Sequence, residues 1–322
     1  MTEYLLLLIA CAFFAVQFVF QKLFQQRTVE GLSVCLWNQL VCCTVSIVYL
    51  MVSYGVPQEL TEPAFGYALA YSAAGMICSV ATITAMSCGK VAAVGNYCLA
   101  GGMIVPFLYG IIALGESADL WKWLGIAVLC LSMVPSMLKK EESRENSSGR
   151  GVKFTLWCIV VFLTNGLVSV FSKMHQISPA AIDDNDFVLV SAFIRCAAAL
   201  GILLILAAVS RKKGGEHPLR QAFWDIGTVP MTGKLFAALI VFAGAYAVCN
   251  TLGNLFSLRC MVTMDASLQF PLLSAVVIIL TAVFGRIFFR EKFGRETVIS
   301  LILSTVGIAL FMAKDALPYF VS

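Results

Sequence analysis

The chain has 322 residues, 60% of them hydrophobic and only 12% charged, with a mean hydropathy of +0.90. A soluble domain is ordinarily about a quarter charged, so this surface cannot all face water. An ordinary soluble domain is excluded, and the apolar residues fall in runs of the roughly 20 residues that cross a bilayer as helix.

The first run, residues 4–24, is too long for the apolar stretch of a cleaved signal. It also lacks a basic leader, because residues 1–10 contain no Lys or Arg. It reads as a retained helix. Further helices are predicted over 32–54, 64–86, 91–114 and 120–138. A polar stretch follows at 139–151 (KKEESRENSSGRG), and a second set runs over 152–174, 187–210, 235–258, 261–288 and 297–312. In lipid each backbone polar group must be satisfied within its own segment, so these runs are helices and not open strands. The connection 211–234 is the longest, with interfacial pieces expected around Phe223 and Trp224. The twelve cysteines lie almost all in apolar runs and form no C-x-x-C pair. They read as small buried apolar residues, with no metal site and no disulfide framework expected.

The two sets resemble each other. Residues 18–22 (FVFQK) align with 169–173 (SVFSK), pairing Lys22 with Lys173. Tyr109, Gly110 and Glu116 align with Phe284, Gly285 and Glu291, and the same spacing carries Lys139 onto Lys314. Five helices is an odd number, so the second copy is expected upside down. The predicted fold is an all-α membrane protein of ten transmembrane helices in two inverted five-helix repeats. Residues 1–138 form the first repeat, 139–151 a linker and 152–322 the second. Inverted repeats are common in secondary transporters, which bind substrate near the midplane between the copies.

Lys and Arg accumulate on the cytoplasmic side of short loops. Connections 1–2, 3–4, 5–6, 7–8 and 9–10 hold 17 of the 22 basic residues; Lys122, Lys173, Arg259 and Lys314 lie on the other side and Arg195 within the membrane. The count places the 139–151 linker inside and both termini outside.

The segment 106–129 (PFLYGIIALGESADLWKWLGIAVL) and its counterpart 270–310 share a pattern. A Pro- or Gly-bearing helix is followed by a small-residue stretch and then Leu-Gly-Glu or Arg-Glu-Lys before the last helix. With the two five-helix halves, this resembles the EamA-like ten-helix group of the drug/metabolite transporter superfamily. The resemblance implies export or exchange of amino acids, other metabolites or drugs by alternating access. It also implies both termini inside, against the charge count, and the count is followed here. Four-helix relatives of this group exchange protons through a glutamate in the first helix. Neither 11–17 (CAFFAVQ) nor 160–165 (VVFLTN) holds a carboxylate, so that mechanism is not carried over.

Polar groups in hydrocarbon are costly and usually face the interior or a water-filled path. The candidates are Gln17, Asn38, Gln39, Asn96, Asn165, Arg195, Asn250, Asn254, Asp265 and Gln269, with Tyr97, Tyr246, Phe270 and Trp37 at compatible depths. For each Asn, an interhelical hydrogen bond competes with substrate contact. Asn250 and Asn254 are four apart and share a helix face. Matching residues 51–53 to 208–210 pairs Arg195 with Asn38, so the repeat does not demand the charge. A guanidinium there could grip a substrate carboxylate or phosphate, form a salt bridge, or snorkel to the interface. Pairing of Arg195 with Asp265, or a cavity flanked by both, is expected. Gly101, Gly102, Pro106, Pro271 and Gly285 could break helices or permit close packing. Glu116 and Glu291 read as first-turn carboxylates of the helices that follow them.

The expectation is a secondary transporter of a small polar metabolite such as an amino acid or organic anion. It would lie in the plasma membrane as a multi-pass monomer or homodimer, without cofactor, metal or nucleic acid. Alternatives are a multidrug exporter or a non-transporting lipid-handling protein. An enzyme is not expected: the one acid run, Asp183-Asp184-x-Asp186, sits where a helix cap is due.

Overall fold

The computed structural model describes residues 2–29, 31–57, 60–88, 91–138, 148–212, 232–290 and 294–321. Among these the chain forms ten helices: α1 (Thr2–Gln25), α2 (Leu32–Tyr54), α3 (Glu62–Cys88), α4 (Val91–Ala113), α5 (Leu120–Leu138), α6 (Ser148–Ile177), α7 (Asp184–Lys212), α8 (Gly233–Thr263), α9 (Ala266–Phe289) and α10 (Arg295–Val321). Eight are long and apolar enough to cross a membrane; α5 and α10 supply shorter apolar stretches, Leu120–Val134 and Val298–Ala313. Large side chains such as Ile112 (79% exposed) stand on the outer surface of the bundle. Such an apolar exterior is stable only against lipid, and the protein is a multi-pass membrane protein.

Predicted and observed helices agree to within a few residues, except that α10 continues to Val321, nine residues past its predicted end, and at two further places. The segment 148–151, expected as the end of a linker, belongs to α6. The break between α8 and α9 falls at Met264–Asp265 and not near residue 260. Polar residues are spread from Ser257 to Gln269, so composition marks a break in this stretch without fixing which residue makes it. The residue type does mark it, since Asp is a favoured N-cap. Linker residues 139–147, the Phe223/Trp224 region, Glu291 and Lys292 lie outside the described residues.

The helices pack in a paired pattern. α1 lies mainly on α8 and α3 on α6; α4 packs on α6 and α9 on α1; α2 touches α8 as α3 touches α7. Adding five to each helix number (α6 follows α1, and so on) exchanges the members of each of these pairs of contacts. It leaves α2–α7, α4–α9 and α5–α10 as contacts of a helix with its own counterpart. The two five-helix sets are thus interdigitated, each helix contributing to the other set's core.

Close approach at the α4–α6 crossing depends on glycine. A Cβ on Gly101 would collide with the backbone of Phe162, and one on Gly166 with Val105. Small residues at such crossings let helices gain packing that apolar burial cannot supply in lipid. The helices run through Pro106 and Pro271 without a break.

Contacts gather the starts of α1, α3, α5, α7 and α9 and the ends of α6 and α8 at one end of the bundle. The Cys260 thiol meets the Glu3 carbonyl, Thr61 Oγ1 donates to the Ala180 carbonyl at 3.0 Å, and Arg259 approaches Asp184 at 3.9 Å. We call this the N-terminal end. In the Asp183–Asp186 run, Asp183 is a local cap whose Oδ1 accepts from the backbone and side-chain amides of Asn185, while Asp184 Oδ1 accepts from Gln176 on α6 at 2.8 Å.

Candidate functional site

Polar side chains from four helices meet in the middle of the bundle. On α8, one helical turn separates Asn250 from Asn254, and the Asn254 Nδ2 donates to the Asn250 carbonyl at 2.8 Å and to its Oδ1 at 3.2 Å. Asn250 Nδ2 in turn donates to Gln17 Oε1 on α1 at 2.9 Å. Tyr71 on α3 donates its hydroxyl to Asn254 Oδ1 at 3.4 Å. The guanidinium of Arg195 on α7 lies over the Tyr71 ring, 5.0 Å from its centre. One continuous seam therefore runs from Gln17 through Asn250, Asn254 and Tyr71 to Arg195.

Its depth follows from helical rise. Arg195 is eleven residues into α7, Tyr71 nine into α3 and Asn254 nine from the end of α8. At 1.5 Å per residue these stand about 14–17 Å from the N-terminal end, with Asn250 and Gln17 about 20–23 Å from it. That is mid-membrane for a hydrocarbon core about 30 Å thick.

The partners of Arg195 are neutral. Its Nε donates to the Ser191 carbonyl at 3.4 Å, and its charged plane faces Tyr71. Tyr246, Cys42 and Cys43 lie within electrostatic range. The Ser191 carbonyl is shared with Ser72 Oγ at 3.1 Å, while the buried Ser191 hydroxyl has no hydrogen-bond partner among the described residues. The seam thus holds a guanidinium whose contacts among the described residues are an aromatic face and a carbonyl. Such a site is built to attract negative charge.

Other candidates are placed elsewhere. Asn165 Nδ2 donates to the Cys98 carbonyl at 2.7 Å and Asn96 Nδ2 to the Met133 carbonyl at 3.2 Å, so both join neighbouring helices. Gln269 is fully buried and donates to the Ser257 carbonyl at 2.8 Å. Asn38 accepts from Cys42, which also reaches the Ala243 carbonyl. Trp37 packs between Phe24 and Phe236, Tyr97 borders the α3–α4–α6 core, and Phe270 is buried among α3, α7 and α8.

The expected Arg195–Asp265 pairing is corrected by the position of the helix break. Asp265 is the N-cap of α9, 54% exposed at the N-terminal end, and pairs with Lys122 at 3.6 Å. Glu116 is corrected too. It serves not the helix that follows it but α9, where its two carboxylate oxygens accept from the amides of Ala266 and Ser267 at 2.8 and 2.7 Å. Lys173, 5% exposed on α6, donates to the Met261 and Met264 carbonyls at 2.6 and 2.8 Å. Its sequence counterpart Lys22 lies over the Phe289 ring instead.

Sequence reasoning passed over Tyr71 and Ser191. Ser191 was accessible as the residue one turn before Arg195 on the same face. Tyr71 carried no comparable signal.

No family model matches the chain, and no curated protein matches it. Solved structures do: 28 chains match. One of them, described only as "Crystal structure of protein", is 14% identical, with a TM-score of 0.67 over 97% of each chain. At that identity the likeness concerns the fold alone.

Proposed function

We propose that the protein is a secondary transporter of small organic anions, binding substrate at the Arg195 seam by alternating access between inverted halves. The observation that carries this reading is Arg195, a full positive charge near mid-membrane whose contacts are an aromatic face and a carbonyl. A charge at a helix centre costs about 2.5–3.5 kcal/mol on insertion scales, so its retention favours a functional role. The paired packing of the two five-helix sets supports inverted repeats, and the resemblance to the drug/metabolite transporter superfamily agrees with both. Cationic drugs fit less well, because the seam offers amides and tyrosines but no carboxylate among the described residues.

A thermal-shift screen of the purified protein with monocarboxylates, phosphate esters, amino acids and organic cations tests this. Anions are expected to stabilise the protein, and Arg195→Ala to abolish their effect. Stabilisation by cations alone, or anion effects indifferent to Arg195, would reject the reading.

A further inference from the structure

At the N-terminal end, two oppositely charged side chains hold the break between α8 and α9. Lys173 comes from α6, in the same five-helix set, and its ammonium takes two carbonyls where α8 ends. Cations are favoured there because the last carbonyls of a helix are unpaired and carry its negative dipole end. Glu116 comes from the other set, on the connection between α4 and α5, and accepts the first amides of α9. The Asp265 side chain makes no capping hydrogen bond of its own. The helix start is therefore capped from 150 residues away in sequence.

We propose that Glu116 is a latch, closing the N-terminal end of the bundle and releasing α9 when the Arg195 seam opens there, while Lys173 keeps α8 fixed and makes Met264–Asp265 the hinge. The proposal rests on the transport reading for its purpose. Four polar contacts cross between the two sets at this end, and the Cys260 thiol to the Glu3 carbonyl, at 3.6 Å, is a weak one. Thr61 to Ala180 is a neutral hydrogen bond, and the mostly buried Lys122 reaches Ser267 Oγ at 3.1 Å and the half-exposed Asp265 carboxylate only at 3.6 Å. An ion pair this long, with one partner in water, is screened and contributes little. Glu116 makes two short charge-assisted bonds to main chain, the strongest of the four. Lys173 joins elements of one set, so its bonds need not break when the sets part.

Gly110 carries an independent sign of this design. A Cβ there would collide with the Glu116 carboxylate and press on the Ser267 amide, so only glycine lets the side chain lie back across α4 to α9. The Tyr109-Gly110 pair and Glu116 were the residues that the internal repeat singled out, and the contact shows why glycine and glutamate occur together.

Hydrogen–deuterium exchange on the full-length protein in nanodiscs tests the latch. Glu116→Gln leaves one acceptor oxygen and removes the charge. It is expected to shift the equilibrium about tenfold toward the open end, the size of one charge-assisted hydrogen bond. Exchange should rise not only at residues 264–270 but also in the connections 55–61 and 178–183, and fall at the opposite end in 26–31. Gly110→Ala should reproduce the pattern by expelling the carboxylate. Glu116→Asp, which keeps the charge and the fold but is one methylene shorter, should show a weaker version. A rise confined to 264–270, or none in any variant, would overturn the latch. Arg195→Ala should leave this pattern unchanged while losing anion binding, so failure of the substrate reading and failure of the latch are separable.

Discussion

Replacing Arg195 by Ala separates a ligand-binding charge from a structural one. Removing the charge relieves about 2.5–3.5 kcal/mol of insertion cost. Against this stands the cation–π contact with Tyr71, worth up to about 2 kcal/mol when desolvated. The bond to the Ser191 carbonyl, one turn back on α7 and long at 3.4 Å, belongs at the low end of the roughly 0.5–1.5 kcal/mol of a net hydrogen bond. The terms nearly cancel. The variant should therefore insert normally and unfold within about 1 kcal/mol of the parent, a shift of a few degrees at most. Anion binding should fall much further. Each hydrogen bond to a charged group contributes about 1.5–3 kcal/mol, so loss of a two-pronged grip lowers affinity on the order of a hundredfold or more. Arg195→Lys should recover only part of it, since an ammonium lacks the planar fork. Chemical denaturation in detergent and uptake of the best-stabilising anion into proteoliposomes measure the two effects. A variant that transports normally, or one destabilised by several kcal/mol, would refute the reasoning.

Other expectations follow from the same contacts. Asn165→Leu should cost about 0.6–1.7 kcal/mol of stability by denaturation and leave transport intact, because its amide only ties α6 to α4. Asn254→Leu should lower stability by a similar amount but reduce substrate uptake at least several-fold, because it severs Tyr71 from Asn250. Gly101→Ala should force α4 from α6 and destabilise by at least the roughly 1–3 kcal/mol of an overpacked core, read as a lowered melting temperature. A cysteine placed in the 139–151 linker should resist an impermeant thiol reagent in intact cells, as the placement of basic residues requires.

The membrane class and the approximate helical spans were legible in the sequence because lipid imposes them locally. Each segment must satisfy its own backbone, whatever its neighbours are. The list of polar residues was legible for the same reason, since any polar group stands out in an apolar run. Their roles were not. Asn165 and Asn254 are chemically identical and sit in similar helices, yet one tethers α6 to the Cys98 carbonyl and the other connects Tyr71 with Asn250. Helical periodicity gives the face a residue occupies but not the helix that meets that face. Asp265 shows the same limit in depth. The sequence places the break near residue 260, and its true position about five residues later moves Asp265 from the membrane interior to an exposed cap. Glu116 shows it in partnership: proximity in sequence suggested α5, while the vacant amides it satisfies belong to α9. An unpaired helix terminus accepts whatever charge folding brings to it, and that is decided only when the two five-helix sets pack together.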